Sequence, residues 1–215
     1  MSKYANKTQR DKAKMTWIKT VPYEEAKGEL LKLYDRVKGP NNNIDNIMLA
    51  HSLRPHSMTG HMTLYKNVLH HPRNTIEKWM LEMLGVYTSM LNKCNYCVEH
   101  HFIGMKTLLD DDSRSSEIRE ALENDTWPEI LEEKKVSALR YAAKLTLNAS
   151  SSDEDDIRAL RKSGWDDGEI LEINQVVAYF NYANRTVLGL GINTEGDELG
   201  LSPNDSTDGN NWSHR

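Results

Sequence analysis

Apolar positions along the chain recur every three or four residues, and no alternating run persists, so the pattern predicts helix after helix. Residues 22–38 open with Pro22 and carry Ala26, Leu30, Leu33, Tyr34 and Val37 on one side, before Gly39-Pro40 and three asparagines stop the helix. A short helix is expected over 44–52, and Pro55 starts another that runs to about His70. His71-Pro72 breaks the chain ahead of a longer helix. There Asn74 with Glu77 reads as a capping box, and Ile76, Met80, Met83, Tyr87 and Met90 form one apolar stripe. The next helix begins near Cys94 and ends around Leu109, where Asp110-Asp111-Asp112 supply a turn. Further helices are expected over 116–124, 129–147, 153–163 and 167–190, with Gly164 at a C′ position and Asp166–Glu169 as a capping box. After Gly191 the sequence turns to Gly, Asn, Asp and Ser. The expectation is a single all-α domain of about eight helices over residues 21–195, between flexible segments at 1–20 and 196–215.

Composition narrows the class. With 215 residues and 38% apolar content, the chain can bury one sizeable core under a very polar surface. A net charge of -5 and scattered Lys and Arg argue against nucleic-acid binding. No stretch approaches 18 uninterrupted apolar residues, and MSKYANKTQRDKAKMTW has no apolar secretory core, so neither a membrane span nor a secretory signal is expected. The default is a cytoplasmic protein in a reducing compartment. The two cysteines, three positions apart, therefore read as redox or metal chemistry rather than as a disulfide scaffold.

The chemistry concentrates between Glu82 and His101. On a helix, Cys94, Cys97 and His101 are i, i+3 and i+7 and share one face. Cα atoms three apart lie within disulfide range, so the pair can close without rebuilding the backbone. Placed in the first helical turn, both sulfurs meet unpaired N–H groups that favour the thiolate, the form that attacks peroxides and disulfides. Glu82, with Trp79 and Val86 as helical neighbours, is expected to carry a raised pKa suited to proton exchange near neutral pH. Zinc is the competing reading of the sulfurs. Cys94, Cys97 and His101 would need His100, His70 or His71 as a fourth ligand, and structural sites want four. His100 points about 100° from His101 and is expected at solvent or an interface. His51, His56 and His61 read as ordinary surface histidines, the Met-rich stripes as packing, and Trp127 and Trp165 as anchors of helix junctions.

The spacing Glu82, eleven residues, Cys94, two residues, Cys97, three residues, His101 resembles the E-x11-C-x2-C-x3-H signature of AhpD-like alkylhydroperoxidases, in the carboxymuconolactone decarboxylase superfamily. The chain resembles the peroxidase-related branch most, through Tyr141-Ala142-Ala143-Lys144-Leu145-Thr146 and the run Val177 to Arg185; the likeness covers roughly residues 20–195. One departure is Tyr96, where well-studied members carry a histidine.

The resemblance implies a thiol peroxidase with no bound metal or organic cofactor. Cys97 would attack a hydroperoxide and become a sulfenic acid, Cys94 would resolve it as a disulfide, and His101 with Glu82 would relay protons. A thioredoxin-like or lipoyl-bearing dithiol protein would return the electrons. Family members are homo-oligomers, often trimers or multiples of them. Two other functions fit the same likeness: a redox sensor or disulfide exchanger without peroxide turnover, and a decarboxylase acting on a lactone, against which the intact cysteine pair counts.

Overall fold

The computed structural model of the chain describes residues 14–201 and Trp212. Among them are ten α-helices and no strand: α1 (Gly28–Val37), α2 (Asn46–Ala50), α3 (Pro55–Leu69), α4 (Lys78–Leu91), α5 (Asn95–Leu109), α6 (Asp112–Glu123), α7 (Trp127–Ile130), α8 (Glu133–Leu147), α9 (Glu154–Lys162) and α10 (Asp167–Leu190). The expected all-α domain is therefore what forms, and α7 is the one helix without its own counterpart among the expected spans. No helix of the described residues is long and apolar enough to cross a membrane.

The core is built around α4. Every residue from Met80 to Ser89 is buried, and α5, α8 and α10 pack against this helix. A helix that is apolar nearly all round must be covered on all sides, and α4 is. Its Leu81, Met83, Leu84 and Val86 are fully buried, each contributing roughly 1.5–3 kcal/mol. That gain lets α4 also carry one buried carboxylate, Glu82.

Local signals placed several boundaries. Asp153 and Asp166 cap α9 and α10 with the reciprocal hydrogen bonds of a capping box. Gly164 takes a φ of +95° between them. Elsewhere tertiary partners override local propensity. The expected helix over 22–38 divides into a 3-10 turn at Tyr23–Glu25 and α1, whose first residue, Gly28, has a φ of +58°. The one over 129–147 divides at Leu131-Glu132, which is extended. The helix expected at 116 begins four residues earlier, because Asp111 accepts from the Arg114 N–H as its N-cap. Asn74 does not cap α4. Its amide donates to Val68 O, and the backbone N–H groups of Thr75 and Ile76 go instead to the Glu172 carboxylate of α10.

The segments expected to be flexible, 1–20 and 196–215, lie largely outside the described residues. The parts described contact the helical body. Thr16 Oγ1 donates to Leu190 O, and Asn193 N–H donates to Met15 O. Gly191 (φ +62°) ends α10 where the Trp17 indole fills the space a Cβ would need. Residues 193–198 lie against the start of α2, and the Trp212 ring sits 3.6 Å beneath the Arg36 guanidinium.

Candidate active site

The turn between α4 and α5 places the two sulfurs. Lys93 takes φ +59° as the C′ residue of α4, its N–H bonds Met90 O, and the Cys94 N–H bonds Ser89 O. These two bonds make a Schellman motif, formed here without glycine at a cost of about 1 kcal/mol. Cys94 is thus the closing residue of one helix and the N-cap of the next, and Cys97 follows at N3. Their Sγ atoms lie 3.3 Å apart as free thiols. A disulfide of about 2.05 Å needs a shift of little more than 1 Å. Asn184 of α10 braces the turn: it accepts from the Asn92 amide and donates to Ser89 Oγ.

The two thiols share one hydrogen bond. The hydrogen bond from Cys97 lowers the Cys94 pKa, helped by the Cys97 backbone N–H facing it across the N-cap. The same hydrogen bond, together with burial, pushes the Cys97 thiol well above its usual value. Asn184 favours charge on either sulfur.

Glu82 Oε2 lies 2.7 Å from His101 Nδ1 of α5, and its Oε1 lies 3.2 Å from His70 Nε2. Burial alone would raise this carboxyl, but the His101 charge and hydrogen bonds from both imidazoles outweigh it and hold it at about 2. This corrects the expected raised pKa: Glu82 is a fixed anion that orients His101. His70, the partner local spacing did not suggest, is fully buried, and burial lowers its pKa. Its Nε2 also lies 3.0 Å from Tyr65 OH. The edge of Phe180 packs on the His101 ring at 4.5 Å between centroids, and Phe180 reaches it only because position 85 is glycine.

Cys97, Glu82 and His101 line one cavity of about 50 Å³, room for a few water-sized groups. Cys94 lies behind Cys97 and does not face it. The remaining wall is apolar (Val37, Met48, Met62, Leu201), with two polar clusters. In one, His61 Nε2 lies 3.4 Å from Tyr179 OH, and the His61 ring packs on His51 at 5.1 Å. In the other, Tyr96 OH donates to Asp197 at 2.8 Å, and His100 Nε2 lies 3.2 Å from the same carboxylate. Asp45 shares that end. Burial pushes its carboxyl up to about 7; Asp197 and Glu198 add to the rise and His100 opposes it.

All four residues expected from the sequence therefore meet at one place. Three surface expectations are corrected: His51, His61 and His100 are buried, the last facing Asp197 rather than solvent. The added cavity residues were not legible from spacing, because Tyr96 and Asp197 are 101 positions apart and His61 and Tyr179 are 118 apart.

Solved structures of this shape exist. The uncharacterized peroxidase-related protein from Silicibacter sp. TM1040 aligns with a TM-score of 0.71 at 24% identity, over 84% of this chain and 93% of that one. The alkylhydroperoxidase AhpD core from Ralstonia eutropha JMP134 aligns at 0.68 and 18% identity, over 84% and 92%. The fold is AhpD-like. The debrominase Bmp8, in complex with 2,3,4-tribromopyrrole, shares the AhpD-like fold at a TM-score of 0.63 and 15% identity, over 82% and 90%. No family model matches the sequence, and no curated protein matches it. Within this AhpD-like fold the cavity lies among α1, α2, α3, α4, α5 and α10, closed by Asp45 and Leu201 from the connecting segments.

Proposed function

We propose that the chain is a cytoplasmic dithiol peroxidase that reduces hydroperoxides through Cys97 and Cys94. The observation that carries this reading is the pair of free sulfurs 3.3 Å apart, one of them in the wall of a cavity shared with the hydrogen-bonded Glu82–His101 pair. In its neutral form His101 donates Nδ1–H to Glu82 and keeps Nε2 as a base, which takes one proton from the sulfur pair and becomes the imidazolium that Glu82 stabilises. The remaining proton rests on Cys97, the less acidic sulfur, and passes across the 3.3 Å contact to Cys94 in the reactive minority form, leaving the Cys97 thiolate facing the cavity. That thiolate attacks the terminal peroxide oxygen, the O–O bond breaks, and the departing alkoxide takes the proton held by His101. Cys94 then attacks the Cys97 sulfenic acid, releasing water and forming the disulfide. In sum, one hydroperoxide and two thiols yield an alcohol, water and a disulfide.

Both sulfurs are buried, so the electrons return best from a slender donor. A lipoyl arm suits the site better than the broad face of a thioredoxin-like protein. Self-association as a trimer or a multiple of it would cover exposed apolar side chains such as Leu53, Leu64, Tyr182 and Leu188.

The test is hydroperoxide consumption with dithiothreitol as reductant. Saturable turnover that vanishes in Cys97→Ala and stalls after one oxidation in Cys94→Ala supports the reading. A reversible disulfide without any hydroperoxide turnover would leave a redox switch or disulfide exchanger.

A further inference from the structure

His61 holds a buried polar atom with nothing to bind. It is 3% exposed and lines the cavity beside Cys97, yet its Nδ1 has no hydrogen-bond partner among the described residues. The proton's position follows from the neighbour. Tyr179 OH lies 3.4 Å from Nε2, and no other acceptor for that hydroxyl is found among the described residues. With Tyr179 donating to Nε2, the neutral ring carries its proton on Nδ1. Burial, reinforced by His51 and His101, lowers this imidazole to about 3, so it stays an uncharged donor and does not compete for Glu82. His51 does not satisfy it: its Nδ1 faces Ile47 O at 2.7 Å, and its ring packs on His61 at 5.1 Å without a hydrogen bond to Nδ1. Buried donors left unpaired are rare in folded chains, and one that faces a reaction cavity calls for a ligand.

We propose that the His61 Nδ1–H binds the departing oxygen of the hydroperoxide, which makes His61 and Tyr179 the oxyanion-stabilising pair of this site. The inference rests on the hydroperoxide reading above. When the Cys97 thiolate takes the terminal oxygen and the O–O bond breaks, negative charge collects on the second oxygen. Glu82, an anion in the same wall, repels that charge, whereas His61 offers the one unpaired buried donor among the cavity-lining residues. His61 keeps its proton throughout. The alkoxide is neutralised by the proton on His101, so no further reactant is needed.

Single-turnover oxidation of the reduced protein by ethyl hydroperoxide, beside alkylation by iodoacetamide, tests this. His61→Leu is expected to slow the hydroperoxide reaction by ~100-fold, the loss that follows removal of one oxyanion donor, and to leave alkylation within about twofold. His61→Asn, whose amide N–H falls near the place of Nδ1, keeps most of the rate. His61→Gln, whose amide reaches toward Nε2, does not. Tyr179→Phe, which frees the tautomer, gives an intermediate loss. If the Leu variant fails to fold, the Asn and Gln pair decides. Equal hydroperoxide rates in wild type and His61→Leu, an equal fall with both reagents, or equal rates in Asn and Gln would overturn the assignment. A wild type that ignores hydroperoxide would overturn the function itself, and this inference with it.

Discussion

Replacing Gly85 by alanine should destabilise the protein, although the same change at most helical glycines does the opposite. Alanine is favoured over glycine inside a helix by about 1 kcal/mol. At position 85 the added Cβ would sit 2.1 Å from Cε2 and Cζ of Phe180, where carbon contacts ordinarily rest at about 3.5–4.0 Å. The ring would have to retreat by about 1.5 Å, but Phe180 is fully buried. Overpacking of this kind costs about 1–3 kcal/mol, which cancels or exceeds the helical gain. Gly60 is the internal control: it lies in α3, is exposed, and a Cβ there meets nothing within 4 Å. Gly60→Ala should stabilise by about 1 kcal/mol. The two variants, about 1–3 kcal/mol apart, should then melt roughly 2–12 °C apart, given about 2–4 °C per kcal/mol at this size. Because Phe180 packs on His101, Gly85→Ala should also slow the reaction of Cys97 while Gly60→Ala does not. Thermal unfolding with a thiol alkylation rate measures both effects. An equal rise in Tm for the two variants would refute the steric reasoning.

Three further outcomes follow from the charges. Glu82 is held at about 2 against 4.5, and a depressed carboxyl stabilises the fold above 4.5 and loses that benefit as pH falls toward 2. Urea unfolding should therefore place Glu82→Gln about 3 kcal/mol below wild type at pH 7, with the gap narrowing at pH 3; a gap independent of pH would count against the ion pair. Asp45 has the opposite sign, being raised from 3.8 to about 7, so wild type loses stability as pH climbs from 4 through 7. Asp45→Asn should gain Tm relative to wild type over that window and match it at pH 4. Asp197→Ala strands Tyr96 OH and the Asn46 N–H, which charge-assisted bonds worth about 1.5–3 kcal/mol each now satisfy. Hydrogen exchange should show the Asn46 amide losing protection, and unchanged exchange would remove Asp197 as the anchor.

What was legible in the sequence was local. The capping box at Asp166 is decided within four residues, and the shared face of Cys94, Cys97 and His101 follows from helical spacing. The Schellman turn at Lys93 gave no such signal, because it forms without the glycine that usually marks it. Glu82 was placed correctly and its ionisation wrongly, for one reason. Its apolar neighbours are adjacent in sequence, whereas His70, twelve positions before it, arrives only when α3 packs beside α4 and α5. The histidines expected at the surface are buried because distant elements cover them: α10 covers His61, and Asp197 faces His100. Helical spacing states which residues share a face and leaves open what that face meets.

The central claim is most directly tested by mixing the reduced protein with one equivalent of ethyl hydroperoxide and following the products by intact mass and chromatography. The account predicts one ethanol and one Cys94–Cys97 disulfide per chain, with Cys94→Ala stopping at a Cys97 sulfenic acid that a dimedone probe captures. A hydroperoxide that persists beside two free thiols, or a sulfenic acid formed on Cys94 instead, would contradict it.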